Sequence, residues 1–510
     1  MNSLSSSSSE DTILADLLAY CDAHKIEISP NVSIRRVPGK GLGVYTTQSL
    51  NPGDRLMHVP TAALLTTTAV PHSFASKEIR KDIPVHALLA AYLTFGLSEA
   101  KKDGYARWMA TWPRLTDFTW TVPIFWPERL RTPLKVQHHE FCVIPPSLTG
   151  SWTSSDLQKN TTKHKVLDEQ LAKFETHVHA VGRVFPDHAG ALLSPSDPPH
   201  WSFIHNWNAV NSRCFYYVCA GQRPPKDSNE AMALCPGMDL FNHTDDAGCK
   251  TTYDKRGYYV TAEQAYEAGQ EVLLNYGAHG NDMLWTEYGF TMDRNKFDGL
   301  RLDEIVLSTL TDAQRKVLEE AEYLGEYWLR PDGDEAGVCW RTEVVSYLGV
   351  LSQNQWYRFI EGKLEPGKFP GSLQDGKRKR DDATATVQES PLIRAKRKQV
   401  VWIEKIEKEA QKSLEGLLSL ASPDQMVRYF VDEDSALEAQ GAKRQDLQQT
   451  KSGQARLRHR MCVQRWRQIS RLAKNALEKL KRDLPADANP RTAAKSAGLE
   501  QRVDEFMDRG

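Results

Sequence analysis

No C-x-x-C pair occurs among the eight cysteines, at 21, 142, 214, 219, 235, 249, 339 and 462, so neither a zinc ribbon nor a disulfide framework is suggested. Reduced thiols are expected. Charge of one sign is lacking as well: 65 Lys+Arg against 66 Asp+Glu leave a net charge of -1, and no global field draws the chain to nucleic acid or anionic lipid. Stretches without Asp, Glu, Lys or Arg, such as 59–76 and 83–98, carry Pro, His or many Thr and are unfit to span a bilayer. Met1-Asn2-Ser3 and the serine run behind it have neither the basic nor the apolar region of a secretory signal, and the expected location is cytoplasmic, nuclear or both. H-E-x-x-H and G-x-S-x-G are absent and the 15 histidines are scattered, which removes local support for zinc chemistry and for a serine nucleophile; no metal site is expected.

What the chain does have is bulk. Its 510 residues are 40% hydrophobic, 26% charged and 9% aromatic, the balance of a folded protein of about three domains at ~150 residues each. Asp11 to Cys21 places Ile13, Leu14, Leu17, Leu18 and Cys21 at helical spacing, predicting a brace helix after a disordered serine run, with 1–27 as N-terminal tail and brace. From Ile34 to Val59 short alternating stretches are broken by Gly39, Gly41, Gly43 and Asn51-Pro52-Gly53, the signature of hairpins. A helical block follows over about 66–207. Strand texture returns from Ala233 to Asn275, where Tyr258-Tyr259-Val260 and Val272-Leu273-Leu274 flank a turn at Glu267 to Gln270.

Beyond about Leu300 the composition is rich in Leu, Glu, Lys and Arg. Helices are expected over Val401–Leu420 and Gln454–Lys481, the second with Cys462, Trp466, Ile469, Ala473, Ala476, Leu477 and Leu480 in step. Within this region about 371–399 is poor in apolar residues and carries two basic clusters, Lys377–Arg380 and Arg394–Lys398, and reads as a disordered loop. The loop is open to three readings: a bipartite nuclear-localisation signal, a docking strip for acidic surfaces, or a solvated insertion.

Gly39-Lys40-Gly41-Leu42-Gly43 invites a phosphate-loop reading, which the details refuse: Thr46 stands where a Rossmann pattern needs glycine, and Gly41 follows Gly-Lys where a Walker loop needs Ser or Thr. The informative stretches are Met238-Asp239-Leu240-Phe241-Asn242-His243, then Glu271-Val272-Leu273-Leu274-Asn275-Tyr276-Gly277, then Glu287-Tyr288-Gly289-Phe290. In order behind the glycine segment and Leu50–Asp54, with a helical block between, they resemble the SET-domain protein-lysine methyltransferases, and most closely the Rubisco large-subunit methyltransferase-like subclass. The resemblance covers about Ile34 to Phe290 by motif and extends by texture to about Leu480.

That resemblance implies an α+β fold: a SET β-fold with a pseudoknot-like crossing, an inserted helical region, and an all-α C-terminal domain that binds substrate. It implies a SET domain at 28–300 with its insert at 66–207, a C-terminal domain at 301–481, and a tail at 482–510. The implied cofactor is S-adenosyl-L-methionine (AdoMet), with Lys40, Gly41, Leu42, Arg213, Asn242, His243, Tyr276 and Tyr288 in contact with it. Lys40, Gly41 and Leu42 would offer backbone, glycine allowing the main chain to come close; a guanidinium such as Arg213 suits a carboxylate. Tyr276 is the implied catalytic tyrosine, and Tyr288 with Phe290 the implied walls of the lysine channel, where an aromatic surface attracts an ammonium. No cysteine cluster follows the Tyr motif, so a zinc-bound module after the SET core is not expected. That departure favours a non-histone protein substrate, such as a ribosomal protein or translation factor. Separately, a monomer without direct nucleic-acid or membrane binding is expected. Two alternatives stay open: histidine methylation on the same fold, and a catalytically silent adaptor that binds peptides.

Overall fold

The computed structural model describes residues 4–37, 41–158, 165–194, 197–333, 335–369, 389–420, 422–432, 444–485 and 501–507. The chain forms two compact units, the first from 1–125, 170–279 and 287–289, the second from 126–169, 280–286 and 290–510. The helical insert expected at 66–207 therefore contributes 126–169 to the second unit.

In the first unit α1 (Leu4–Ala23) leads into β1 (Glu27–Ile28), β2 (Val32–Val37), β3 (Gly41–Thr46) and β4 (Arg55–Pro60). The serine run expected to be disordered is the first part of α1. Leu17 and Cys21 are buried with Tyr20, whereas Leu18 is 46% exposed and lies off the packed face. The insert supplies α2 (Val85–Ala91), α3 (Glu99–Met109), α4 (Leu115–Thr121), α5 (Val166–Val184, which begins in the second unit) and α6 (Pro198–Arg213). Leu88, Leu89, Tyr92 and Leu93 are buried as their spacing demands. The β texture then resumes as β5 (Asn242–His243), β6 (Cys249–Asp254), β7 (Gly257–Ala262) and β8 (Glu271–Leu274).

These strands make two four-stranded sheets, ordered β1-β4-β7-β6 and β2-β3-β8-β5. The pair β2–β3 is the hairpin that the glycines predict, its register running from Val32 opposite Thr46 to Val37 opposite Gly41. At the next turn the Asp54 carboxylate accepts from the Asn51 N–H at 2.8 Å and Gly53 has φ 97°, a left-handed conformation that suits glycine. The turn at Glu267–Gln270 also forms, with Gly269 at φ 87°. Its flanking strands do not pair with each other, because β7 joins one sheet and β8 the other. Val44, Leu56, Met57, Val59, Val260, Val272 and Leu274 fill the core of this unit. β5 lies parallel to β8, Asn242 opposite Leu273 and His243 opposite Leu274, and β8 is antiparallel to β3.

The second unit is mostly helical; its part 126–169 carries an antiparallel strand pair, Leu134–Val136 with His139–Phe141, and the region expected to be all-α holds a three-stranded antiparallel sheet of β9 (Leu300–Arg301), β10 (Trp328–Asp332) and β11 (Glu335–Val338). Its helices α7 (Pro391–Ser419), α8 (Pro423–Phe430) and α9 (Arg444–Arg482) pack through the predicted face of α9, on which Cys462, Trp466, Ile469, Ala473, Ala476 and Leu477 are buried. α7 starts ten residues earlier than its apolar pattern, so Arg394–Lys398, expected in a disordered loop, is helical. Three of its cations are engaged: Lys396 with Asp483, Arg397 with Glu389, and Lys398 Nζ with the Leu348 carbonyl. The other basic cluster, Lys377–Arg380, lies outside the described residues. Residues 501–507 of the expected tail are helical.

Arg465 of α9 is buried and donates from Nε to Asp282 and from Nη1 to Asp298, each at 2.7 Å. Removing one member of such a group strands the other charges away from water. Arg465→Met is therefore expected to cost about 3–5 kcal/mol, read as a lower urea midpoint; an unchanged midpoint would show that the group contributes nothing.

Candidate active site

Arg213 is the last residue of α6, a helix that opens with Pro198 and Pro199 at positions where no intrahelical N–H is required. Its Nη1 donates to the Asp239 backbone carbonyl and stands 3.8 Å from the Asp239 carboxylate. Asp239 lies in the turn Met238–Leu240 with its side chain fully buried. The indole N–H groups of Trp108 and Trp112 donate to its Oδ2 at 3.1 and 2.9 Å, and the Gly237 N–H donates to Oδ1 at 3.0 Å. Burial pushes the Asp239 carboxyl above the usual carboxylate range, while Arg213 and the two indoles pull it back. The buried Nε of Arg213 has no hydrogen-bond partner among the described residues, so this guanidinium keeps a donor in reserve.

Asn242 in β5 ties three strands together. Its side-chain N–H₂ donates to the Leu42 carbonyl of β3 at 3.2 Å and to Glu271 Oε1 of β8 at 2.8 Å. The close approach depends on Gly43, where a Cβ would fall 2.8 Å from Glu271 Oε1 and 3.0 Å from Asn242 Nδ2. Gly41 has a different need: φ is 79°, and a Cβ there would meet nothing within 4 Å, so the main chain is bare toward open space.

Tyr276 follows β8. Its hydroxyl donates to the Phe241 carbonyl at 2.6 Å, and its backbone N–H donates to His243 Nδ1 at 3.1 Å. The accepting Nδ1 puts the proton of a neutral imidazole on Nε2, and burial lowers the His243 pKa in keeping with a neutral ring. The Tyr276 ring lies 4.9 Å from that of His243 and 5.3 Å from that of Tyr288. Burial pushes the Tyr276 hydroxyl up to about 12, so at neutral pH it is a proton donor held in one direction. Tyr288 is raised by burial too. It is followed by Gly289 at φ 79°, where any Cβ would collide with Thr121 of α4.

Gly41, Leu42, Arg213, Asn242, Tyr276 and Tyr288 all line one cleft of 870 Å³, together with Asp239 and Trp112. His243 is not part of its lining and acts on it through Tyr276. Lys40 lies outside the described residues, and Phe290 belongs to the second unit and is not among the lining residues. Asp239 and Glu271 escaped the sequence reading although both stand inside the quoted motifs. Their partners, Trp108, Trp112 and Asn242, come from distant parts of the chain, and nothing local announces them. Among the described residues no group of three or more His, Cys, Asp or Glu side chains is arranged to hold a metal ion, and no helix is long and apolar enough to cross a membrane.

The first unit is thus a β core split by helices, with a short strand threaded parallel to a later one and a tyrosine returned onto the chain before that strand. Residues 41–277 match the SET domain family model. SET domain-containing protein 4 of Mus musculus is 27% identical over 262 residues, 51% of this chain and 54% of that protein. Ribosomal lysine N-methyltransferase set11 of Schizosaccharomyces pombe is 29% identical over 188 residues, 36% of this chain and 45% of that protein. The chain thus spans about half the length of these curated relatives. Among solved structures, Rubisco LSMT bound to AdoMet aligns over 98% of this chain and 96% of that one, with 13% identity and a TM-score of 0.47.

Asn242→Ala would leave the Leu42 carbonyl and the Glu271 carboxylate without their shared donor. The expected cost is about 1–3 kcal/mol of stability, seen as a lower melting temperature of the first unit. A melting temperature equal to the parent's would mean that the link between the strands carries no energy.

Proposed function

We propose that the chain is an AdoMet-dependent protein-lysine N-methyltransferase acting on a non-histone protein. The observation that carries this reading is the convergence of Gly41, Leu42, Arg213, Asn242 and Tyr276, drawn from four separated parts of the chain, on one cleft of 870 Å³. A cleft of that size is in the range that encloses a ligand of cofactor dimensions. The SET domain match at 41–277 supports the reaction class, and a relative named a ribosomal lysine N-methyltransferase favours a ribosomal protein or another component of translation as substrate.

The residues present fit the cofactor. Arg213 has a buried Nε donor in reserve, and the cleft wall at Gly41 is bare main chain beside open space. AdoMet, when bound, supplies a methyl group carried on a positively charged sulfur. Arg213 suits the carboxylate of its methionyl part, a planar fork meeting a planar anion. Asp239 is a positioning residue: with two indoles and Gly237 holding its carboxylate, it fixes the guanidinium from the side.

Tyr276 would act by orientation. Its hydroxyl is protonated and pinned by the Phe241 carbonyl, so it presents a fixed dipole rather than a base. An amine with an ordinary pKa of ~10.4 has to lose a proton before it can attack, at a cost of about 4.6 kcal/mol at pH 7. The Arg213 guanidinium disfavours a second cation in the cleft and reduces that cost. Alignment of donor and acceptor then supplies much of the remaining acceleration. Tyr288 contributes an aromatic wall for the incoming ammonium.

The test is to incubate the purified protein with labelled AdoMet and a lysate from cells lacking it, then find the labelled sites by mass spectrometry. A discrete methyl-lysine is expected, reduced about 100-fold or more by Tyr276→Phe, on the scale of lost positioning; full activity in that variant would sink the mechanism. Methyl-histidine would move the protein to the other acceptor, and failure to bind AdoMet at all would favour an adaptor. Arg213→Met should raise the KM for AdoMet at least tenfold with a smaller change in kcat. The rate should climb with pH as the amine deprotonates and show no fall from Tyr276 below about pH 10, since its hydroxyl titrates near 12.

A further inference from the structure

In the second unit the helical residues 501–507, Gln501-Arg502-Val503-Asp504-Glu505-Phe506-Met507, lie against the long helices. Val503 is 2% exposed. With Asp504 it borders a 250 Å³ hollow whose other walls are Leu414 of α7 and Arg467, Ser470, Arg471 and Lys474 of α9. The Phe506 ring meets that of His459 edge-on at 5.1 Å, Arg460 Nη2 donates to the Met507 carbonyl at 3.1 Å, and Asp504 pairs with Arg467. The segment thus has apolar residues at i, i+3 and i+4, the spacing of one helical face, with carboxylates at i+1 and i+2. Its seat is the complement: an apolar residue on α7 and a basic rim on α9. Part of that rim also serves the unit itself, since Lys474 stands 3.7 Å from Glu407 and Arg471 contacts the Asp293 carbonyl.

We propose that this groove is a docking site for a short acidic amphipathic helix, that residues 501–507 occupy it in cis, and that a protein partner with the same pattern enters by displacing them. The inference does not depend on the methyltransferase reading. An amphipathic helix laid in a groove is a recurring mode of peptide recognition, read as anchors at i, i+3 and i+4. The cis contact is of a kind that can be exchanged. A helix this short is marginal by itself, and the Arg467–Asp504 pair, 37% and 52% exposed, selects for sign more than it holds. Beside these contacts the segment has the advantage of being on the same chain, which a partner has to outcompete.

The experiment uses the full chain and a fluorescein-labelled peptide of residues 498–510, with binding read by anisotropy. Chain carrying Val503→Asp and Phe506→Ser is expected to bind the peptide at least tenfold more tightly than the unaltered chain, because its own segment no longer competes. Chain carrying only Asp504→Arg, a change at an exposed position, should show a smaller gain of about threefold. Adding Arg467→Glu to the released chain should weaken the peptide at least fivefold, and a peptide with Asp504→Arg should recover most of that loss. Equal binding by released and unaltered chain, or a peptide of scrambled order binding as well as the true one, would overturn the proposal. So would a collapse of melting temperature in both released variants, since the segment would then be part of the fold and not its ligand.

Discussion

The parallel pairing of β5 with β8 is the constraint on which the first unit turns. Parallel neighbours need a crossover between them, and here the crossover is β6 and β7, which pair in the other sheet. In chain order both sheets are therefore entered before β8 returns beside β5. Only then can Tyr276 reach the Phe241 carbonyl and lay its ring near His243. One register sets three things at once: the join between sheets, the direction of the Tyr276 hydroxyl and the burial that keeps it protonated. A slip of one residue in β8 would turn every side chain of that strand to the opposite face and part the tyrosine from its acceptor.

Charge in the cleft follows the same economy of shared groups. Asp239 answers to Arg213 and to two indoles, and the arginine in turn is held by the backbone and carboxylate of a single residue. Burial alone raises such a carboxyl, and these partners lower it again. With them it remains the counter-ion that lets a guanidinium stand at a half-buried cleft wall with an unused donor.

Much of this was legible in the sequence where the signal is local. The glycine-broken hairpin, the turn at Gly269 and the apolar face of α9 each follow from residues within a few positions of one another, and the structure has them where the spacing put them. The order of the Asn-His and Tyr motifs brought six of the nine expected site residues to one cleft. What could not be read is non-local. Trp108 and Trp112 carry no mark that they serve a carboxylate some 130 positions away. The strands β9 to β11 are short and sit among residues of helical composition, so the sheet in the second unit had no texture of its own. The serine run and Arg394–Lys398 show the opposite error, where polar composition argued for disorder and the helices α1 and α7 absorbed it.

The interlock of Gly43, Asn242 and Glu271 bears on how such a sequence can change over time. A side chain at 43 would crowd the two atoms that join β5 to β8, while loss of the amide at 242 removes the donor shared by Glu271 and the Leu42 carbonyl. Each one-residue step away from this trio disturbs a contact that a single second step does not restore. The three positions are thus trapped together in a narrow valley of allowed sequences, and descendants of this chain should keep or replace them as a set, while the exposed surface around them drifts freely.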